Sequence, residues 1–522
     1  MEDIKNKWLP HLIDAVPSAG QGKRISTYTL ALEGWRRGIP LKFYRVHDEE
    51  DHLKIRYSLN YNGNEHHFSL SMGDKVSDKA FDICNNKHLT KEYLSKADVP
   101  VPEGKKFAED TSDEEIVDYA RSVGFPVVLK PVDDNAGKGV FANILDAERL
   151  QEALVHVRQE LAYTEVLLEK YVPGKEFRIF VIEDRVLGAM NRRPANVIGD
   201  GVHTIKELID LKNTERKKNP HTTSRLINID DEILDFIDRA GYTLESVLKD
   251  GEFLYIRQKS NLARGGESID VTEQLTPELK QIAIGAGKAI PGLPHYGVDM
   301  IVDLENNMGV ILEVNSRPGF GGHLFPMVGE PRDFAKEIID YYFPETKDIE
   351  RTNLFFNFNK IIEPLKSRAA ISTELPVPPT GKLYGKKYIV TGNVEGQWFR
   401  KWVKRQALKR DLHGYAKPLK NGDLEVVVAG KQQSVVDRFK KLLFEGKENA
   451  AVQEINEYDW EDQPLRVDFQ LKKKGKAKRP KNVHQKYQRV SKEYNKIINS
   501  TSWRITYPLR YAKNLLKRII KR

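Results

Sequence analysis

Three oxygen-bearing side chains, Asp299, Glu313 and Asn315, stand at spacings that could hold a hard cation. Glu313 and Asn315 are two apart, so on a strand they point to one face. Asp299 lies in the apolar run Gly297-Val-Asp299-Met-Ile-Val-Asp303, and the polar turn Glu305-Asn306-Asn307 separates it from a second run, Gly309 to Val314. The pattern predicts a hairpin in which Asp299 faces the other two. Two carboxylates and an amide oxygen suit Mg2+, which takes few protein oxygens and completes its shell with phosphates and water. Mn2+ accepts the same donors.

A second group of residues is suited to phosphates. Lys130 ends the short apolar strand Val127-Val-Leu-Lys130 and precedes a glycine loop, Asp133 to Val140, that carries Lys138. Such loops offer backbone N–H groups to phosphate oxygens, and their glycines allow close approach. With Lys87 and Lys170, these cations could neutralise a triphosphate. Glu169-Lys170-Tyr171-Val172 reads as an extended edge whose backbone can bond an adenine, and Glu176 follows at a distance suited to ribose hydroxyls.

The elements that must position these residues follow from periodicity and punctuation. Helical spacing predicts helices over 27–37, 86–97, 112–122, 147–160, 202–218 and 276–289. Strands are predicted at 41–43, 54–60, 66–72, 127–131, 165–171, 177–182, 185–190 and 253–257, with Asn62-Gly63 as a hairpin turn. A proline-rich stretch, Pro376-Val-Pro378-Pro379, marks a semi-rigid linker. The chain therefore divides into an N-terminal α/β unit (1–85), a large domain (86–344), a linker (345–384), a second compact domain (385–462) and a basic tail (463–522).

Composition narrows the class. The chain has 522 residues, 30% charged and 40% hydrophobic, so several globular domains are expected. It lacks both a spanning apolar run and an N-terminal signal pattern, which points to the cytoplasm. The single cysteine, Cys84, reads as a small buried residue of a reducing compartment. Residues 464–522 hold 19 Lys and Arg against two acids, so the basic pI describes the tail, and no nucleic-acid partner is expected.

Together these motifs resemble the ATP-grasp ligases, over roughly residues 75–343. The resemblance is carried by Lys130-Pro131, Gly137-Lys-Gly139, Glu169-Lys-Tyr-Val-Pro-Gly174-Lys-Glu176 and Asp299…Glu313-Val-Asn315…Pro318-Gly319. Asn196 to Ile205 and Asn261-Leu-Ala-Arg264-Gly-Gly266 resemble the insert found in the ATP-grasp halves of cyanophycin synthetase and the bifunctional glutathione-synthesis enzymes. The resemblance implies an ATP-grasp fold. It implies that Lys130 and Lys170 bind phosphates, that Glu169 and the Tyr171–Val172 backbone hold adenine, and that Glu176 holds ribose. It further implies that Asp299, Glu313 and Asn315 hold Mg2+ on ATP, and that a carboxylate is joined to an amine through an acyl phosphate. Arg178, Arg193, Lys259, Arg264 and Arg317 are the cations that could hold the carboxylate or the acyl phosphate. The substrates implied are an amino acid or peptide, and self-association is left open. Lys138 replaces an arginine common in that subgroup.

Gly392-Asn-Val394-Glu-Gly396-Gln-Trp398-Phe-Arg400 and His413-Gly414-Tyr415 resemble an acylphosphatase, a ferredoxin-like α+β sandwich, with Arg400 at the family's phosphate-binding arginine. The position of its water-orienting asparagine holds Pro418, which has neither an amide side chain nor an N–H. Hydrolysis of acyl phosphates and a retained docking role both stand as readings, as does a non-catalytic ATP-binding adaptor for the whole. In the tail, Ala512, Leu515, Leu516, Ile519 and Ile520 form a stripe among basic residues. Such a helix can lie on an anionic membrane surface or dock on a protein.

Overall fold

The computed structural model describes residues 8–48, 51–132, 139–258, 260–394, 396–446 and 452–473. The glycine-loop lysine Lys138, Lys259 and the tail helices lie outside the described residues.

Lys175–Ile182 is the middle strand of a five-stranded antiparallel sheet. On one side it pairs with Arg185–Arg193 and then Glu267–Asp270; on the other with His295–Asp303 and then Met308–Asn315. Side-chain alternation decides what each face does. Phe177, Ile179 and Val181 point into a core closed by the helices Asp78–Asn85, Lys87–Lys96 and Pro277–Ala289. Glu176, Arg178 and Phe180 take the opposite face, which is left polar over much of its width.

A separate four-stranded sheet runs in the order Gly104–Phe107, Val166–Lys170, Val127–Pro131, Phe141–Ile144. The helices Asp113–Val123 and Ala147–Leu154 cover its apolar face. The insert between 194 and 258 has its own small core around Ile205, Ile209, Ile233 and Ile237. Its first helix, Ile205–Lys218, opens on a reciprocal cap between Thr204 and Glu207.

The N-terminal helix Ile25–Arg36 packs on a sheet containing Leu41–His47, Leu53–Tyr61 and Asn64–Ser69. Asn62 and Gly63 both take positive φ, 52° and 87°, as the hairpin turn requires. The edge strand of this sheet is Ser372–Leu375, in register Leu41↔Leu375. This corrects the expected linker. Residues 345–384 contribute the helix Phe358–Lys366 and a strand to the N-terminal unit, and Trp35 Nε1 donates to the Pro376 carbonyl at 2.9 Å. The prolines punctuate folded elements here and do not make a spacer.

The second domain runs strand–helix–strand–strand–helix–strand, the ferredoxin-like order. Its strands are Tyr384–Gly392, His413–Pro418, Leu424–Gly430 and Val452–Asp459, backed by Gln397–Leu408 and Gln433–Glu445. It extends past the expected boundary at 462, because Phe469–Leu471 adds a parallel strand beside His413–Pro418. Val427, Ala429 and Leu465 share the aromatic core around Tyr28 and Trp35, so this domain is packed onto the N-terminal unit.

Candidate active site

A crevice separates the small sheet from the edge hairpin of the large one. Leu167, Glu169 and Lys130 line it from the small sheet, and Glu313 from the hairpin. The helix Lys87–Lys96 adds Lys87, Thr90, Lys91 and Leu94, spaced so that they fall on one helical face. Glu169 is only 5% exposed and is held by two cations: Lys130, in direct contact, and Lys91 at 3.1 Å. Four expected residues, Lys87, Lys130, Glu169 and Glu313, thus meet in one place. Lys91 is a fifth that sequence reasoning passed over, although its spacing of four from Lys87 carried the signal.

Two expectations about the adenine edge change. Val166–Lys170 is an interior strand, paired on both sides, so its backbone is already spent through the Lys170 N–H, which donates to the Glu103 carbonyl at 2.7 Å. Glu169 is the counter-charge of the crevice lysines. Lys170, the next residue, must point the other way, and its Nζ donates to the Val123 carbonyl at 2.7 Å. Strand alternation therefore removes it from the phosphate-facing set. Beyond the strand, the Tyr171 N–H is taken by the Pro126 carbonyl at 3.0 Å, whereas no described residue accepts from the Val172 N–H.

The polar face of the large sheet continues from the crevice in register. Asp299 pairs across to Glu313 on one side and to Arg178 on the other, and Gly297 pairs with Asn315. A bulge at Leu312 lies beside this pair and aims Glu313 and Asn315 together. Gly297 is required here: a Cβ would sit 2.7 Å from Pro318 and 3.4 Å from Arg178. Next along the face come Arg192 and Ser268, also in register. Arg178 forks onto both oxygens of Asp299, with Nη2 to Oδ2 at 2.6 Å. Arg192 bridges Glu176 at 2.9 Å and Asp299 at 3.4 Å.

Burial alone would raise the Asp299 carboxyl; the guanidiniums of Arg178 and Arg192 outweigh it and hold the group below its ordinary range. Burial dominates at Glu176 and pushes it up, with Arg192 only partly opposing. Burial, then the Glu313 carboxylate, pushes the Cys84 thiol in the crevice wall up to about 12, so it stays protonated.

Residues 86–190 match the family model for the carbamoyl-phosphate synthase L chain ATP binding domain, and residues 204–341 match the RimK-like ATP-grasp domain. This chain carries an ATP-grasp domain. Residues 386–471 match the acylphosphatase family, which agrees with the strand Phe469–Leu471 closing the second domain. Cyanophycin synthetase of Crocosphaera subtropica is 32% identical over 326 residues, 61% of this chain and 36% of its own. The glutathione biosynthesis bifunctional protein GshAB of Clostridium perfringens is 33% identical over 335 residues, 61% of this chain and 41% of its own. A solved bifunctional glutathione synthetase from Pasteurella multocida is 28% identical, with a TM-score of 0.47, over 62% of this chain and 45% of that one. The chain spans 36% and 41% of the two curated relatives' lengths.

Within the ATP-grasp domain, the donor set of Asp299, Glu313 and Asn315 is all oxygen, which fits a hard divalent cation. Asn315 Nδ2 is buried without a partner, so no protein bond prevents the carboxamide from turning its oxygen to a cation. No cluster of three or more His, Cys, Asp or Glu suited to a metal occurs among the described residues. A cation here would therefore complete its shell with non-protein oxygens.

Two expected substrate-holding arginines, Arg264 and Arg317, are exposed. Arg264 is 51% exposed and committed to Glu232 at 2.8 Å and Asp230 at 3.3 Å. The exposed Arg317 lies 4.6 Å over the Phe81 ring. Arg178, by contrast, stands on the polar face, and Arg193 pairs with Glu267 at 3.2 Å. Arg192 was missed because sequence alone does not say which of two adjacent arginines a strand turns toward the site.

In the acylphosphatase-like domain, Arg400 lies in the first turn of Gln397–Leu408, behind Gly396, and its Nε is buried without an acceptor. Pro418 ends its strand, paired with Leu424 and buried.

Proposed function

We propose that this chain is an ATP- and Mg2+-dependent ligase that joins a carboxylate to an amine. The observation that carries the reading is the crevice in which Lys87, Lys91, Lys130 and Glu169 stand against Glu313. Phosphoryl transfer asks for positioning and charge neutralisation more than for a covalent side chain. Lys130 and Lys91 neutralise the nucleotide phosphates, and the unspent Val172 N–H faces the adenine. Glu313 and Asn315, with Asp299, would hold the cation, which would supply charge neutralisation to the phosphates; Mg2+ is the first choice and Mn2+ fits the same donors. A carboxylate beside Arg178 attacks the γ-phosphorus, ADP leaves, and an amine then displaces phosphate from the acyl phosphate. The relatives' names support amino-acid or peptide substrates.

The test is phosphate release from ATP and Mg2+ across a matrix of amino acids and dipeptides. Release is expected only when a carboxylate and an amine are both present, and Glu313→Ala is expected to abolish it. Stoichiometric ATP binding without turnover on any pair would favour an ATP-binding adaptor.

For the second domain we infer anion docking without hydrolysis. Arg400 keeps a buried unpaired donor, while Pro418 offers no group to orient a water. Benzoyl phosphate is expected to survive incubation with the full chain, followed by absorbance. Hydrolysis that disappears in Arg400→Ala would reverse this reading.

No helix among the described residues is long and apolar enough to cross a membrane. A cytoplasmic location is proposed, with the basic tail docking on an anionic surface or a protein.

A further inference from the structure

The polar face does not end at Arg178. From Glu313 to Arg192 it crosses three strand spacings, roughly 14 Å. On and around this row nearly every cation has a matching anion. Arg178 has Asp299, Arg192 has Glu176, Arg193 and Lys212 share Glu267, and Arg332 has Asp270. The buried Arg216 is satisfied by the carbonyls of Arg225 and Gly266.

Arg225 is the exception. It is half-buried, lies within the field of Arg192, and has no carboxylate partner among the described residues. Its Nη1 donates to His221 Nε2 at 3.0 Å. That bond requires His221 to be neutral, and burial, then Arg225 and Arg216, hold its pKa well below the ordinary value. His221 is itself fixed in place. Its backbone N–H donates to Asn219 Oδ1 at 2.8 Å, and its ring packs against Gly321, where an added Cβ would lie 2.5 Å from Nδ1. So a rigid imidazole aims a guanidinium that has no counter-charge.

A second, independent observation lies at the same end of the row. Ser268, the register partner of Arg192, is fully buried and its Oγ has no partner. Arg192 Nε is buried and unpaired. His323 is 2% exposed and both its ring nitrogens lack partners, while the charges of Arg178, Asp270 and Arg192 act on its ring. Unspent buried donors beside an uncompensated cation are costly unless something arrives to accept from them. What fits is a compact anion with two acceptor oxygens, which a guanidinium fork binds well.

We propose that Arg225, aimed by His221 and assisted by Arg192 and Ser268, binds a second carboxylate of the substrate, so that the acid activated in the crevice is at least a dicarboxylate. This rests on the ligase reading and names its substrate class. Arg225 and Arg192 contact the distal carboxylate; His221 is a positioning residue.

The test compares L-aspartate with L-asparagine, L-glutamate with L-glutamine, and dipeptides ending in each, as acid substrates in ATP-dependent phosphate release. The wild type is expected to prefer the diacid over its amide by about 10–100-fold in kcat/KM, the worth of one or two hydrogen bonds to a charged group. R225Q is expected to erase that preference through KM for the diacid, and R225K to recover part of it. KM for ATP and the melting temperature report whether R225Q has folded normally. An equal loss on diacid and amide, or no preference in the wild type, overturns the proposal. If no acid supports phosphate release, the ligase reading fails instead. The subsite is then decided by calorimetric titration of L-glutamate into wild type and R225Q: binding lost only in R225Q supports it, and equal binding or none overturns it.

Discussion

Lys130→Ala is expected to lower kcat/KM for ATP about 10²–10³-fold, or about 3–4 kcal/mol. Two physical effects add. One of the crevice cations that would face the nucleotide phosphates disappears, and Glu169, 5% exposed, is left with Lys91 as its only described cationic partner. A buried carboxylate stripped of half its compensation also repels an incoming triphosphate. The effect should therefore fall on ATP binding as well as on turnover, and direct ATP titration beside phosphate release separates the two. Lys130→Ala combined with Glu169→Gln should recover part of the binding loss. A fall in kcat/KM of less than about tenfold would remove Lys130 from the phosphate-binding set.

The second large effect is on stability. Arg178→Met leaves the carboxylate of Asp299, 6% exposed, with Arg192 alone, and breaking a buried ion pair on one side costs about 3–5 kcal/mol. Chemical denaturation of the variant measures it. The pH dependence has a definite sign. The folded Asp299 carboxyl lies below its ordinary value, so the pair stabilises the fold above about pH 4, and that contribution is lost as pH falls through the depressed folded value. The gap between wild type and Arg178→Met should therefore be widest near neutrality and narrow in acid. A gap that is constant with pH would mean that the loss comes from packing and not from the charge pair. Arg178→Met, Asp299→Leu together should cost less than Arg178→Met alone, because no buried charge is then orphaned.

The hairpin at Asp299, Glu313 and Asn315 was legible because a two-residue period forces facing side chains together once two apolar runs are joined by a polar turn. The lysine at the end of Val127–Pro131 was legible for the same kind of local reason. Lys170 and the interior placement of Glu169 were not. They depend on which strands flank Val166–Lys170, and Gly104–Phe107 arrives from a segment that carried only proline signals. Arg192, Arg225 and His221 were invisible for a further reason. They come from a strand and an insert that are separated by up to 33 residues, and only after folding do the unpaired buried nitrogens of Arg192 and His221, and the bond from Arg225 to His221, mark them as a group. The linker failed through composition: charge and proline are common to spacers and to the ends of edge strands, and cross-strand register alone decides between them.

The edge strand Ser372–Leu375 also sets an order of events on the ribosome. The sheet that begins at Leu41 cannot take its final strand until residue 375 has left the exit tunnel, by which time the whole ATP-grasp region has been synthesised. Domains tend to fold as units as they emerge, so the large domain is in a position to fold first and act as a compact spacer, bringing the two distant strands together at a lower chain-entropy cost than a flexible loop of that length. A nascent chain halted between the large domain and residue 372 would expose the strand edge at Leu41–Tyr44, which is the side that invites pairing with another chain. Truncated chains that stop at the end of the large domain should aggregate through that edge, while those extended past residue 384 should not.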